Sequence, residues 1–144
     1  MYHFFIITMN FLTHQLLTNE ETNLLKTNLA IEKKEWEDGK KSAGNHAAKV
    51  KNNLQLNKDS EISQKYSQLI IKKMLNDPLI KSFSLPKKIH GTMFTKSKEG
   101  MQYGRHIDNA FMSSGRSDLS FTIFLSKKEE YKGGELIIEN INSE

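Results

Sequence analysis

The chain has 144 residues, of which 37% are hydrophobic, and it carries 21 lysines and arginines against 17 aspartates and glutamates, a formal net charge of +4. This length supports one modest hydrophobic core, so we expect a single domain spanning residues 1–144. Cysteine is absent, which excludes disulfides, thiolate metal sites and cysteine nucleophiles. Histidine, aspartate and glutamate remain as the available metal ligands.

The charge pattern argues against a nucleic-acid partner, and the one apolar segment near the N-terminus does not have the features of a membrane or targeting segment. Lysines are interspersed with acids, as in Lys127-Lys128-Glu129-Glu130, which is typical of a solvated surface. Residues 2–12 are apolar, but no basic segment precedes them and no small-residue cleavage site follows. The apolar run is also too short to span a bilayer. We therefore expect a cytoplasmic protein.

The first part of the chain, residues 1–80, is predicted to be a helical support region. Residues 4–7 have the pattern of a short buried strand. Thr18, followed by early acids, predicts the start of a helix that runs through Leu24, Leu25 and Leu29.

A polar stretch and a second helix follow. Residues 36–53 contain Gly39 and Gly44, so we expect irregular structure with one short strand near Val50. The next segment predicts an amphipathic helix that begins after Asp59-Ser60-Glu61 and ends before Asn76-Asp77-Pro78. Its apolar positions are Ile62, Tyr66, Leu69, Ile70 and Met74.

The second part, residues 81–144, is predicted to be a β core. Strands are expected at residues 89–95, 119–125 and 135–139, where β-branched and aromatic residues alternate with glycine-containing turns. Helices followed by strands indicate an α+β fold. The N-terminal helices would pack on one face of a curled sheet or half-barrel.

The segment with the clearest chemistry is Tyr103-Gly104-Arg105-His106-Ile107-Asp108-Asn109. Side chains two residues apart in a strand project to the same face, so His106 and Asp108 are expected to point together while Ile107 packs on the other side. An imidazole and a carboxylate side by side form two thirds of a 2-His-1-carboxylate metal site. A His-x-Asp pair alone is weak evidence for a metal site, and taken by itself it favours a structural or surface role.

Motifs along nearly the whole chain carry a family resemblance. They are Trp36-Glu37-Asp38-Gly39, Ser42-Ala43-Gly44, Val50-Lys51-Asn52-Asn53-Leu54-Gln55-Leu56, Gly100-Met101, Tyr103-Gly104, His106-Ile107-Asp108-Asn109-Ala110, Arg116-Ser117-Asp118-Leu119-Ser120, Phe124-Leu125-Ser126 and Tyr131-Lys132-Gly133-Gly134-Glu135-Leu136. Together they resemble the PKHD-type hydroxylases, bacterial relatives of prolyl hydroxylases within the iron(II)- and 2-oxoglutarate-dependent dioxygenases.

This resemblance implies a double-stranded β-helix (jelly-roll) core, with His106 and Asp108 as catalytic iron ligands. It implies iron(II) as cofactor, 2-oxoglutarate as cosubstrate and L-ascorbate as reductant. One oxygen atom of dioxygen would enter a small-molecule or peptide substrate while 2-oxoglutarate is decarboxylated to succinate.

Two further residues are candidates for cosubstrate binding. Strand alternation places Tyr103 on the face opposite His106, which favours a core or supporting role unless a bulge reverses its direction. Arg116 is expected to pair with Asp118 near a turn, and the alternative is contact with the anionic cosubstrate. Lys51 is expected to serve packing and polar cross-links, with substrate recognition as its alternative.

The chain departs from the family pattern after His106, because no later histidine is present. Family members carry a second ligand histidine and a cosubstrate-anchoring basic residue further on, so we expect an incomplete jelly roll that lacks its C-terminal strands. His46, His90, Asp118 and Glu135 do not match the missing position. Activity is therefore left open, and a non-enzymatic binding module and a basic nucleic-acid-binding domain are the rival functions.

Overall fold

The computed structural model describes residues 12–112 and 115–139 of the chain. Its α-helices are α1 (Asn19–Ile31), α2 (Asn45–Ala48), α3 (Glu61–Asn76) and α4 (Pro78–Ser84). Its strands are β1 (Trp36–Asp38), β2 (Lys51–Asn52), β3 (Leu54–Leu56), β4 (Thr95–Lys96), β5 (Gln102–Tyr103), β6 (Phe111–Met112) and β7 (Gly115–Arg116). The predicted α+β class is confirmed. The strand predicted at residues 4–7 lies outside the described residues.

The two long helices begin where the sequence predicts. The Thr18 hydroxyl accepts a hydrogen bond from the Glu21 amide at 3.2 Å, and the Glu21 carboxylate accepts one from the Thr18 amide at 2.9 Å, which forms a capping box for α1. The Ser60 hydroxyl accepts from the Ser63 amide at 3.3 Å and caps α3. Both helix predictions are confirmed, and α3 ends at Asn76, within one residue of the expected end.

A further helix, α4, follows α3 directly and is not among the sequence predictions. The Asp77 carboxylate accepts a hydrogen bond from the Ile80 amide at 2.9 Å, and Pro78 occupies the first turn, where a missing N–H costs nothing. Leu85 then ends the helix in the left-handed conformation, with φ of 43°. The cap and the proline were both visible in the sequence, so α4 was predictable from its local pattern.

The largest described sheet is antiparallel and has the strand order β1-β3-β4. Leu54 in β3 lies opposite Asp38 on one side and Lys96 on the other. Two smaller antiparallel pairs join β2 to β5 and β6 to β7. Residues 36–53 are thus more regular than predicted, while the short strand expected near Val50 is confirmed as β2.

One hydrophobic cluster connects the helices to the three-stranded sheet. Its buried members are Leu17, Leu25, Leu29, Leu56, Tyr66, Ile70, Met74 and Phe94. Full burial of an aliphatic or aromatic side chain contributes about 1.5–3 kcal/mol. The amide of Leu56 also donates to the Phe94 carbonyl at 2.9 Å, which connects β3 to the segment before β4. The helices therefore pack against the three-stranded sheet, whose strands β3 and β4 are adjacent in the sequence to β2 and β5.

The strands predicted at residues 89–95, 119–125 and 135–139 are wrong for the described structure. Only Thr95 in these segments belongs to a strand, and the remaining residues form no ladder. A sequence with strand character becomes a strand only when its backbone groups pair with a neighbour. Side-chain alternation nevertheless persists, since Ile123 and Leu125 pack against the core while Phe124 is 58% exposed.

None of the helices within residues 12–112 and 115–139 is long and apolar enough to cross a membrane.

Candidate metal centre

The candidate site begins at the pairing of β2 with β5. Lys51 lies opposite Tyr103 in the antiparallel register, and the Gly104 amide donates to the Val50 carbonyl at 2.8 Å. A Cβ atom at Gly104 would lie 3.0 Å from the Cβ of Val50, so glycine allows this close approach of the two chains. β5 ends at Tyr103, and the chain bends at Arg105.

This bend brings His106 back against Tyr103. The two rings are stacked, with centroids 3.7 Å apart and planes 12° from parallel. The prediction that Tyr103 faces away from His106 is therefore wrong. It assumed strand alternation through residues 103–108, whereas no strand is present at residues 104–110.

His106 and Asp108 do point together. The His106 Nε2 atom lies 3.4 Å from the Asp108 Oδ1 atom. Adjacent donor atoms on an octahedral ion, at about 2.1 Å from the metal, lie about 3 Å apart, so a small side-chain adjustment lets both coordinate one ion. Ile107 between them is 94% exposed, so the expected packing of this side chain on the opposite face is wrong.

The other ring nitrogen of His106 is already engaged. Its Nδ1 atom lies 2.7 Å from the Gly104 carbonyl oxygen, which can only accept a hydrogen bond. Nδ1 therefore donates its proton to this carbonyl, so that in the neutral imidazole it is Nε2 that has the lone pair. Metal-binding histidines use this arrangement, because a partner on one nitrogen fixes both the tautomer and the ring orientation of the other.

The structure assembles two of the residues considered as metal ligands and no more. Within residues 12–112 and 115–139, no group of three histidine, aspartate or glutamate side chains is placed to hold one ion. The His90 Nε2 atom lies 3.2 Å from the Arg116 carbonyl oxygen, His46 is in α2, and Glu135 is exposed. The His106–Asp108 pair is thus the candidate centre.

Tyr103 and Arg116 have different surroundings. Tyr103 lies within the centre, where burial raises the pKa of its phenol and the Asp108 carboxylate raises it further. Arg116 lies in β7, and its Nε atom is 2.7 Å from the Asp118 Oδ1 atom, which confirms the predicted ion pair. Of these two residues, Tyr103 is the one in direct contact with His106.

Lys51 contacts the site, although the sequence suggested no specific chemistry for it. Its side chain is buried, with 3% exposure, and its Nζ atom lies 4.9 Å from the Tyr103 ring centroid. The same ammonium donates to the Ser42 hydroxyl at 3.0 Å. Burial lowers the pKa of Lys51, and the Asp38 carboxylate opposes this effect.

These features define an α+β chain with a preorganised histidine–aspartate pair at the end of a short strand. No protein-family model matches the sequence. Individual proteins do: a PKHD-type hydroxylase of Prochlorococcus marinus strain MIT 9215 is 71% identical over 136 residues, which is 94% of this chain and 62% of that protein. A PKHD-type hydroxylase of strain MIT 9515 is 66% identical over 136 residues, with the same coverage of both chains.

Proteins with the same name also match at lower sequence identity. A PKHD-type hydroxylase of strain NATL2A is 52% identical over 134 residues, or 93% of this chain and 61% of that protein. This chain is homologous to the PKHD-type hydroxylases over nearly its whole length, which confirms the resemblance carried by its motifs. It spans about 62% of the length of the relatives that it matches.

Proposed function

We propose that this chain contributes to the active site of an iron(II)- and 2-oxoglutarate-dependent hydroxylase, with His106 and Asp108 as catalytic metal ligands. The hydroxylase names of the homologous proteins support the reaction class. The proposal includes a double-stranded β-helix core, of which the described short strands would form part.

The observation that carries the proposal is the preorganisation of two donor atoms. The Nε2 atom of His106 and the Oδ1 atom of Asp108 lie 3.4 Å apart, while Gly104 holds the opposite nitrogen of the imidazole. An imidazole nitrogen beside a carboxylate suits a borderline divalent ion such as iron(II). When bound, iron would supply dioxygen activation, coupled to decarboxylation of 2-oxoglutarate to succinate.

The donor set fits iron(II) as two of the three protein ligands that non-haem oxygenases use. No histidine follows His106 in this sequence to serve as the third. Two ligands hold a metal ion less tightly than three. We therefore expect weak iron binding by this chain, and no 2-oxoglutarate turnover unless another group completes the coordination.

Tyr103 and Arg116 are proposed to contact the cosubstrate. The Tyr103 ring stacks on the proposed ligand His106, which keeps its phenol near the metal position. Arg116 is exposed and bound to Asp118, so it would have to exchange that partner for a cosubstrate carboxylate. L-Ascorbate as reductant, and a small-molecule or peptide substrate with dioxygen, belong to the same proposal.

Anaerobic titration with iron(II) tests the ligand assignment. We expect His106→Ala and Asp108→Ala each to weaken iron affinity by at least about tenfold, the smaller of the losses seen when even an outer partner of a metal ligand is removed. Asp118→Ala is the matched control, because Asp118 is 64% exposed against 63% for Asp108 and lies in a different ion pair. Unchanged iron affinity in both site variants would refute the assignment.

A non-enzymatic binding module is the second candidate. The observation in its favour is that no third ligand joins the pair within residues 12–112 and 115–139. Succinate release from 2-oxoglutarate distinguishes the two functions. Iron-dependent release that is lost in His106→Ala would identify an enzyme and refute the binding module.

A further inference from the structure

Tyr103 is contacted by two groups from different parts of the chain. The imidazole of His106 stacks on its ring at 3.7 Å, and the Lys51 ammonium lies 4.9 Å from the ring centroid. Because the imidazole already covers one face of the phenol ring, steric exclusion places the ammonium against the other. The aromatic ring is thus sandwiched between a cation and the proposed metal ligand.

The position of the Lys51 ammonium is itself fixed. It donates to the Ser42 hydroxyl at 3.0 Å, and that hydroxyl in turn donates to the Gln55 side-chain oxygen. Lys51 and Gln55 are both buried, with exposures of 3% and 5%. The cation therefore has little freedom to leave the Tyr103 ring.

Lys51 forms no ion pair within the described residues, since none of their carboxylates lies within 4.0 Å of its Nζ atom. A buried ammonium without an ion pair is unfavourable for stability, and it is compensated by the more distant Asp38 carboxylate, the π face of Tyr103 and the Ser42 oxygen. An apolar side chain of similar length would fill this space at a lower cost in stability. The location of the charge therefore points to a role other than stabilisation.

We propose that Lys51 is a positioning residue for the metal centre, which holds the Tyr103 ring so that His106 presents its Nε2 atom toward Asp108. The inference rests on the proposed function, because it concerns the same histidine and aspartate. Two constraints then fix the imidazole. The Gly104 carbonyl sets its tautomer through Nδ1, and the Lys51-supported Tyr103 ring sets its plane.

Lys51→Met tests this role, since methionine keeps most of the aliphatic length and removes the charge. Cobalt(II) affinity measured by absorption titration is expected to fall about tenfold, within the range for groups that orient metal ligands. Nuclear magnetic resonance gives a readout without metal: the ring-current shift that Tyr103 imposes on the His106 carbon-bound protons should shrink. Lys51→Arg keeps a cation over the ring and should bind cobalt(II) within about threefold of the parent chain.

A matched control comes from Lys96, whose ammonium lies 4.1 Å from the Trp36 ring centroid, in the β1-β3-β4 sheet and not in the β2–β5 pair. Lys96→Met removes a comparable cation–π contact and should change neither cobalt(II) affinity nor the His106 resonances. Tyr103→Leu covers the case in which Lys51→Met does not fold. With Lys51 intact, its cobalt(II) affinity should also fall about tenfold. In the double variant the two losses should not add, because both act through one contact.

The possible failures are separable. If His106→Ala leaves cobalt(II) affinity unchanged, the proposed metal site itself is wrong. If His106→Ala abolishes binding while Lys51→Met keeps both the affinity and the ring-current shift, the site stands and the role of Lys51 is refuted. Equal losses in Lys51→Met and Lys96→Met would also refute it, because the effect would then be general destabilisation.

Discussion

Gly39→Ala is the substitution for which the structure gives the most direct steric estimate. Gly39 is buried after β1, and its amide donates to the Asn53 carbonyl at 2.9 Å. A Cβ atom there would lie 2.0 Å from the Asn53 Oδ1 atom and 3.0 Å from the Asn53 carbonyl oxygen. Rotation of the Asn53 side chain relieves the first overlap only, because the second involves the backbone.

We expect this variant to lose about 2–3 kcal/mol of unfolding free energy, in the upper part of the range for overpacked interiors. For a chain of this size that loss corresponds to a fall in Tm of roughly 6–12 °C. Thermal unfolding followed by circular dichroism measures it. Asn53 is two residues from Lys51, so a displaced strand should also disturb the pairing of Lys51 with Tyr103.

Gly44→Ala is the matched control, because nothing lies within 4 Å of a Cβ atom at that position and its φ is −64°. Its unfolding free energy should stay within about 0.5 kcal/mol of the parent value. The double variant Gly39→Ala/Asn53→Ala should recover part of the loss, since it removes the side-chain overlap. Equal stability of Gly39→Ala and Gly44→Ala would refute the steric argument, which depends on the close approach of Gly39 to Asn53.

Three further predictions concern caps and titrating groups, each measured by urea unfolding. Thr18→Ala should cost about 1 kcal/mol, because it removes the cap of α1. The hydrogen bonds from Lys73 and from the Thr18 amide lower the pKa of Glu21. The stabilising contribution of Glu21 is therefore present above the usual value of 4.5 and is lost as pH falls through the lowered pKa, and Lys73→Met should weaken this dependence. Burial lowers the pKa of Lys51 although the Asp38 carboxylate opposes it, so the charged side chain reduces the free energy of unfolding at neutral pH. This unfavourable contribution should disappear as pH rises from the lowered pKa to the usual 10.5, and Lys51→Met should not show that change.

The helices were predictable because their determinants are local. The capping box of Thr18 and Glu21 and the four-residue spacing of Tyr66, Ile70 and Met74 all lie within one or two helical turns. α4 was missed although its signals, Asp77 and Pro78, are equally local. The sequence pattern at these residues marked the end of one helix and the start of another at the same time.

The strands were less predictable because each depends on a distant partner. β2 and β5 pair across about fifty residues, and only two residues of each strand take part. Residues 119–125 have the composition and alternation of a strand, yet no described segment pairs with them. The two-residue alternation therefore predicted correctly that Ile123 and Leu125 face the core, but it did not predict whether the segment pairs into a sheet.

In the candidate centre, too, the contacts between residues close in sequence were predictable and those between distant residues were not. His106 and Asp108 are two residues apart, so their convergence survives even though the strand expected to carry them is absent. Lys51 is different: alternation in residues 50–56 would expose Lys51 and Gln55 and bury the leucines, whereas the structure buries Lys51, Gln55 and Leu56 together.

Burial on both sides of the segment formed by β2 and β3 explains that difference. Leu56 packs into the helix-covered core. On the other side, Lys51 contacts Ser42 and Tyr103, and Gln55 contacts Ser42. Polar residues on a buried face oppose the pattern that stabilises a sheet, and such local conflicts are expected at functional sites. At Lys51 the conflict lies in β2, which pairs with Tyr103 next to His106. A catalytic centre there would require fixed side chains, even at some cost in stability.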